Sequence, residues 1–167
     1  MENLRRQYND NVQKFKADFA DCSDFLLKEA ETGGRKCFFA VMDGLVDSLQ
    51  LGQMIMGPVL GAQVKARTPG EQFRQLMRTC VQSVELKEAK TFEDAYYYLM
   101  SGFCVFVLDG CPRAMVMGIQ GWTKRSTDEP ESESNVRGAK ECFVESVNDN
   151  KALLRKRMKT HHLKLRQ

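Results

Sequence analysis

The sequence predicts an α/β fold: a small mixed β-sheet of about four strands and two hairpins, covered by helices and followed by a C-terminal helical segment. Three observations lead to this prediction. Short apolar runs rich in β-formers alternate with stretches of helical periodicity. Glycine-containing turns separate two pairs of these runs. A chain of 167 residues with 43% hydrophobic residues is long enough to bury one core.

The first third of the chain predicts a helix, a hairpin and a second helix. The runs FLLKEA and CFFAVMD are typical of strands, and ETGG between them suits a tight turn. A helix over about 45–60 comes next, with a pattern that Pro58 weakens. The first helix is marked by a single stripe of apolar side chains at steps of three and four: Leu4, Tyr8, Val12, Phe15 and Phe19.

Two capped helices and a second hairpin come next. Thr68, Pro69 and Glu71 supply the N-cap, the first-turn proline and the capping-box carboxylate of one helix. Thr91 and Asp94 open another in a similar way. FCVFVLDG is typical of a buried strand because it is short and continuously apolar. AMVMGI then returns antiparallel to it after the turn DGCPR.

An Asp-Gly pair ends an apolar strand twice, as Asp43-Gly44 and as Asp109-Gly110. One interpretation is a strand-ending turn that is used twice, since both residue types are common in turns. The other is a site built on paired aspartates. Such a site would need further ligands, which the sequence does not identify.

The charge of the chain is concentrated at its C-terminal end. The net charge is only +3, too small by itself to indicate a nucleic-acid binder, but residues 151–167 carry seven Lys or Arg and no acid. This stretch is a solvated helix face followed by a tail, or a surface that binds nucleic acid or an anionic membrane. Sequence alone leaves both interpretations open.

No catalytic group, metal site or cofactor is predicted. His161 and His162 are the only histidines, and adjacent residues point in different directions, so they do not form a zinc half-site. Neither a G-x-G-x-x-G nor a G-x-x-x-x-G-K-[ST] loop occurs. We therefore expect a protein that is not an enzyme.

The six cysteines are scattered without a C-x-x-C pair, which is typical of free thiols in a reducing compartment. Cys37 and Cys104 lie inside apolar runs, where we expect them to act as small core residues.

No segment approaches the ~20 apolar residues that cross a bilayer. The chain as given is therefore expected to be soluble.

The sequence divides into three parts. Residues 1–121 form the α/β subdomain, 122–138 an acidic loop, and 139–167 the C-terminal helices. The loop KRSTDEPESESNVRG has the composition of a solvated linker, with carboxylates among Ser, Thr, Asn and Pro.

The second half of the chain contains an ordered series of short elements: Ser101-Gly102, Asp109-Gly110, WTKRS (122–126), EPESE (129–133), Arg137-Gly138, FVES (143–146) and NKALLRKR (150–157). In this order they resemble the A subunit of the GerA-type spore germination receptors. MDGLVD (42–47) also resembles a strand-end motif of this family. Residues 61–90 match the family poorly.

The resemblance implies a non-catalytic module of a nutrient-germinant receptor in the inner membrane of bacterial spores. The module would lie on the spore-core face and act through subunit assembly and signal transmission. Its partners would be the B and C subunits and further A subunits. The resemblance also implies that a second related subdomain and membrane spans come after this module in family members.

Given this resemblance, the acidic loop (122–138) becomes a candidate contact surface together with the helix after it. Its carboxylates could accept hydrogen bonds from Arg137, Arg155 or Arg157 and order the loop, whereas the alternative is a solvated, flexible loop. In the C-terminal helix, Leu153, Leu154 and Met158 are expected to be buried and Arg155 to Arg157 exposed. The candidate interaction residues are Trp122, Lys124, Arg125, Glu129, Pro130, Glu131, Glu133, Arg137, Glu145, Asn150, Arg155 and Arg157.

Two other functions stay open at this stage. The chain could form one wall of a small-molecule, germinant-binding module similar to halves of solute-binding proteins. It could also be a membrane-surface or nucleic-acid binder that uses its basic end, in which case its binding would depend steeply on salt.

Overall fold

The structure is a computed structural model. It describes residues 2–79, 81, 83, 85–121, 143 and 145–166.

The described part of the chain forms five strands and six α-helices, and one π-helical turn joins two of the helices. In chain order the elements are α1 (Tyr8–Asp18), β1 (Phe25–Thr32), β2 (Arg35–Met42), α2 (Ser48–Gln50), the π-helix (Leu51–Met56), α3 (Gly57–Leu60), α4 (Pro69–Thr79), β3 (Leu86–Ala89), α5 (Phe92–Leu99), β4 (Phe103–Leu108), β5 (Ala114–Gly118) and α6 (Val147–Arg157).

The strands form one open sheet in the order β1-β2-β4-β5-β3. Two hairpins, β1–β2 and β4–β5, lie side by side through the β2–β4 pairing. The α/β class, both hairpins and the C-terminal helix agree with the sequence prediction. Each strand pairing in the described residues is antiparallel, so the mixed sheet that we expected is an antiparallel one.

The fifth strand, β3, was not predicted. Its sequence, LKEA, consists of good helix formers. Pairing with β5 overrides that preference, because the sheet edge offers backbone hydrogen bonds and buries Ala89. Local propensity therefore points to the wrong structure here.

Helices cover both faces of the sheet, which explains why its central strands are continuously apolar. The face under α1, α5 and α6 carries alternate strand residues: Phe38, Ala40, Met42, Val105, Val107, Ala114 and Val116. The face under the π-helix, α3 and α4 carries the others: Cys37, Phe39, Val41, Cys104, Phe106, Leu108, Met115 and Met117. Each face has its own buried core.

The helix expected over 45–60 exists but is interrupted. It begins after Asp47, whose side chain accepts hydrogen bonds from the N–H groups of Leu49 and Gln50. The turn before Pro58 is π-helical, with the N–H of Gly57 bonded to the carbonyl of Gly52. Because Pro58 has no N–H for the carbonyl four residues earlier, an uninterrupted α-helix cannot pass through it.

The buried cysteines act as core residues. Cys37 and Cys104 are fully buried, as the apolar runs predicted. Burial raises the pKa of Cys37 to about 12, with Glu31 adding to the effect. A thiol in this state is protonated and a poor nucleophile.

No helix among the described residues has the length and apolar character that a membrane crossing requires.

Candidate functional site

The strongest candidate site is the place where the C-terminal end of the chain folds back onto the sheet. We call this the junction: α6 and residues 158–166, together with residues 18–24, which they contact. A Ser146 N-cap starts the helix, since its hydroxyl accepts a hydrogen bond from the N–H of Asp149 at 3.3 Å.

A buried ion pair fastens α6 to the sheet. The side chains of Arg155 and Asp24 are only 1% and 2% exposed. Arg155 Nε donates to Asp24 Oδ2 at 2.6 Å, and its Nη2 donates to Asp24 Oδ1 at 2.8 Å. Its Nη1 donates to the carbonyl of Thr160 at 3.2 Å. The guanidinium is thus held on two sides, in the bidentate geometry that strengthens such pairs.

Arg155 keeps its positive charge in the interior. Burial alone would lower the pKa of Arg155, but its hydrogen bonds and charge attraction to Asp24 raise the pKa above the ordinary value. Breaking one side would leave the other as an uncompensated charge in the interior, which is strongly destabilising.

The tail after α6 adds backbone contacts to the same region. The N–H of Ser23 donates to the carbonyl of Leu165 at 2.9 Å. Lys164 Nζ donates to the carbonyl of Asp18 at 2.6 Å. An exposed ion pair, Arg166 to Asp21 at 2.9 Å, lies at the end of the tail. These contacts fix the direction in which the chain runs at residue 166.

His161 is a packing residue of the junction. Its ring lies 6.3 Å from the Phe19 ring and 5.4 Å from the Tyr96 ring, measured between centroids. Burial, with a contribution from His162, lowers the pKa of His161. The neutral ring therefore suits this aromatic surface. Groups of three or more His, Cys, Asp or Glu side chains that could hold a metal do not occur among the described residues.

The two Asp-Gly pairs lie at opposite ends of the sheet. Strands β2 and β4 are antiparallel, and the N–H of Asp109 donates to the carbonyl of Lys36 at the start of β2. Asp43 lies just past the other end of β2, about 23 Å away at 3.3 Å per residue. The aspartates therefore do not form a paired site, and each pair closes its own turn.

Each Asp-Gly pair also supports a neighbouring helix. Asp43 accepts a hydrogen bond from the N–H of Gly44, which lies under α6. Asp109 Oδ1 accepts from the N–H of Tyr8 at 3.2 Å and so caps α1. Both glycines have left-handed backbones, with φ of +79° and +81°. Only glycine adopts this conformation without strain.

The buried face of α6 that we predicted from the sequence is wrong. Arg155 is buried, whereas Met158 is 43% exposed. Leu153 and Leu154 are half-buried, and Ala152 takes the core position. The reason is Asp24: a carboxylate distant in sequence turns the helix so that the arginine faces inward. Three nitrogens of Arg155 donate to Asp24 and Thr160, and its pairing with the loop carboxylates stays a prediction from the sequence.

The other candidate residues are only partly placed. Glu145 and Arg157 are exposed, and Asn150 is half-buried on α6. Several lie outside the described residues and remain predictions from the sequence: Trp122, Lys124, Arg125, Glu129, Pro130, Glu131, Glu133 and Arg137. The residue that sequence reasoning missed is Asp24, which no local pattern links to an arginine 131 positions later.

The fold and the junction define a class of protein. It is an α/β module in which α6 and residues 158–166 pack against the module's own surface at residues 18–24. The same fold occurs in the crystal structure of the N-terminal domain of the A subunit of the Bacillus megaterium spore germinant receptor GerK3. The TM-score is 0.65 at 20% identity, and the match covers 96% of this chain and 58% of that chain.

The family profile of the Bacillus/Clostridium GerA spore germination proteins matches residues 13–167, and the chain belongs to this family. It is 31% identical over 145 residues to the uncharacterized membrane protein YfkQ of Bacillus subtilis, covering 86% of this chain. It is 25% identical over 156 residues to the B. subtilis spore germination protein KA, covering 92%. The chain spans 28% of the length of each of these relatives. The resemblance to germination receptor A subunits is confirmed.

Replacing Arg155 tests the buried pair. We expect Arg155→Met to lower the free energy of unfolding by about 3–5 kcal/mol, because it leaves Asp24 buried without a partner. The double variant Asp24→Leu/Arg155→Met should recover most of this loss, since both charges are gone. Urea denaturation measures both values.

The matched control is Arg166→Gln, which removes an ion pair whose side chains are 75% and 58% exposed. Its cost should stay below about 1 kcal/mol. An Arg155→Met variant as stable as Arg166→Gln would contradict the assignment.

The two Asp-Gly turns can be separated by alanine substitution. A left-handed backbone costs an alanine roughly 1–2 kcal/mol, which is the whole effect expected for Gly44→Ala. Its Cβ would meet Asn148 and Ala152 at ordinary distances of 3.6 and 3.8 Å. Gly110→Ala should cost more, because its Cβ would lie 2.7 Å from Pro69 Cγ. Equal losses in thermal unfolding would be inconsistent with this geometry.

Proposed function

We propose that this chain is a non-catalytic module of the A subunit of a nutrient-germinant receptor, acting through subunit assembly and signal transmission. Family membership supports a role in spore germination. The observation that carries the finer proposal is the buried Arg155–Asp24 pair, which makes the end of the chain a rigid extension of the sheet.

Rigid attachment is what transmission requires. A flexible connection would absorb a displacement of the module, because its backbone dihedrals rotate freely. Here the ion pair, the Thr160 contact and the Ser23–Leu165 hydrogen bond hold the last residues on one surface. Any rotation of the sheet is then carried into the segment that lies beyond residue 166 in longer family members.

Exposed apolar side chains supply surfaces for assembly. Large apolar groups that remain in water mark interaction sites when they cluster. The described residues place such groups on α2, the π-helix and α3, and around α6: Leu49, Met54, Leu60, Phe143, Val147 and Met158. We assign these surfaces to contacts with the B and C subunits and with further A subunits.

The basic end suits a location beside the spore inner membrane, on the face toward the spore core. Arg157 and Lys159 are exposed at the end of α6. Each basic side chain near an anionic lipid surface contributes on the order of 1 kcal/mol, and salt weakens this attraction. The membrane contact would orient the module without any reaction taking place on it.

A flexible insertion tests transmission without disturbing the module. Gly-Ser-Gly-Ser placed after Arg166 in the full-length subunit leaves every junction contact intact and uncouples the segment beyond it from the sheet. We expect nutrient-triggered germination to be lost while subunit abundance and co-purification with the other subunits persist. Spore germination assays and immunoblots of the same spores measure these quantities.

The matched control is the same insertion after Gly34, in the exposed turn of the first hairpin, where a Cβ would meet nothing within 4 Å. We expect a normal nutrient response from this variant. A junction insertion that germinates as well as this control would refute transmission through the junction. Loss of co-purification in the junction variant alone would assign the segment to assembly instead.

A further inference from the structure

A cleft of about 650 Å³ lies at the end of the sheet opposite the junction. It is enclosed by the segment before α1, the start of α4, the residue after β3 and the β4–β5 turn. The second Asp-Gly pair contributes Gly110 to its wall, whereas the first lies under α6.

All the charged side chains that line this cleft are cationic. Arg6, Lys90 and Arg113 line it from three separate segments, and no Asp or Glu is among its lining residues. Within the described residues, the side chains of Arg6 and Lys90 form no ion pair or hydrogen bond. Arg6 and Lys90 therefore line the same space, and neither side chain has a partner in the part of the chain that the structure describes.

The third cation is held in place. Arg113 Nη1 donates to Glu88 at 2.9 Å, and its guanidinium lies 5.1 Å from the centre of the Phe73 ring. A guanidinium has five N–H donors, so the contacts with Glu88 and with the Cys111 thiol leave others for a ligand. The cation–π contact with Phe73 and the bond to Glu88 orient the planar group and reduce the entropy that binding would cost.

The walls between the cations are apolar and stiff. Leu4 and Cys111 are buried, and Pro69 and Pro112 add rings with restricted backbones. Gly110 approaches Pro69 so closely that a Cβ there would lie 2.7 Å from its ring. A ligand with a carbon skeleton beside its charged group fits this combination.

We propose that the cleft binds a small organic anion through a carboxylate or phosphate group, which Arg6, Lys90 and Arg113 contact together. Charge-assisted hydrogen bonds of this kind are the strongest available to such groups. The inference does not rest on the proposed signalling role, because the cleft shares no residue with the junction. The same chemistry could belong to a free metabolite or to a lipid headgroup.

Calorimetric titration of the 167-residue chain with citrate and with inorganic phosphate, at constant ionic strength, tests the site. We expect saturable binding in the wild type and a Kd at least about tenfold weaker in Arg6→Gln/Lys90→Gln, because two charged partners are lost. The control Lys28→Gln/Arg78→Gln removes the same charge from exposed positions outside the cleft. Its Kd should match the wild type.

Amide shifts in NMR spectra give a second readout, which locates the bound anion on the structure. Citrate should move the signals of Gly110 and Cys111 and leave Gly44, at the junction, unchanged. Equal titration of all three chains, or shifts spread over the surface, would show a general salt effect and overturn the proposal. Absence of binding of either anion and of vesicles would overturn it as well.

Vesicles separate the two sources of the anion. Co-sedimentation with phosphatidylcholine vesicles that contain phosphatidylglycerol, lost in Arg6→Gln/Lys90→Gln and competed by free phosphate, would identify a headgroup. Citrate binding without co-sedimentation would identify a free anion. Co-sedimentation that the double variant retains would place lipid contact elsewhere and count against the cleft as a headgroup site.

Discussion

The buried bond between Arg155 and Asp24 is the constraint on which the arrangement of this module depends. It joins residues 131 positions apart, so it closes almost the whole chain into one unit. Buried ion pairs contribute little net stability compared with apolar packing, because both charges lose their hydration. What this pair adds is specificity: a guanidinium held by Asp24 and Thr160 allows one rotation of α6 about its axis. That rotation determines the helix face and the path of the tail.

Antiparallel pairing gives the two Asp-Gly turns different neighbours. Because β2 and β4 run in opposite directions, Gly44 lies under the C-terminal helix and Gly110 lies at the basic cleft. The rigid sheet between them spans about 23 Å of β2 at 3.3 Å per residue. The basic cleft at one end and the attachment of α6 at the other therefore belong to one stiff sheet, which has a buried core on each face. This arrangement suits a module that assembles and transmits.

Much of the fold was predictable because its signals are local. The stripe from Leu4 to Phe19 is buried throughout, although Leu4 lies before α1 and Phe19 just after it. The capping box of Thr68 and Glu71 forms as expected. Strand β3 was not predictable, since LKEA favours a helix until β5 offers it an edge. Antiparallel order also depends on long-range pairing that no local pattern encodes.

The site was less predictable for the same reason. Sequence reasoning selected Arg155 but placed it on the exposed face, because a Lys/Arg run beside leucines is usually solvated. Its partner Asp24 precedes a strand and carries no motif of its own. The basic cleft has no linear signal either, since Arg6, Lys90 and Arg113 are scattered and meet only in the folded chain. The resemblance to germination receptors, in contrast, came from ordered motifs and was confirmed.

The most direct test of the central claim is hydrogen exchange at the Arg155 side chain, measured by NMR. Arg155 Nε–H donates to Asp24 within the interior, whereas the side chain of Arg166 is 75% exposed in the same molecule and provides the reference. We expect a resolved Arg155 signal that exchanges with solvent orders of magnitude more slowly than that of Arg166, because the buried hydrogen bond must open before exchange. Equal exchange rates at the two arginines would show that the pair opens freely and that α6 is not part of the rigid fold.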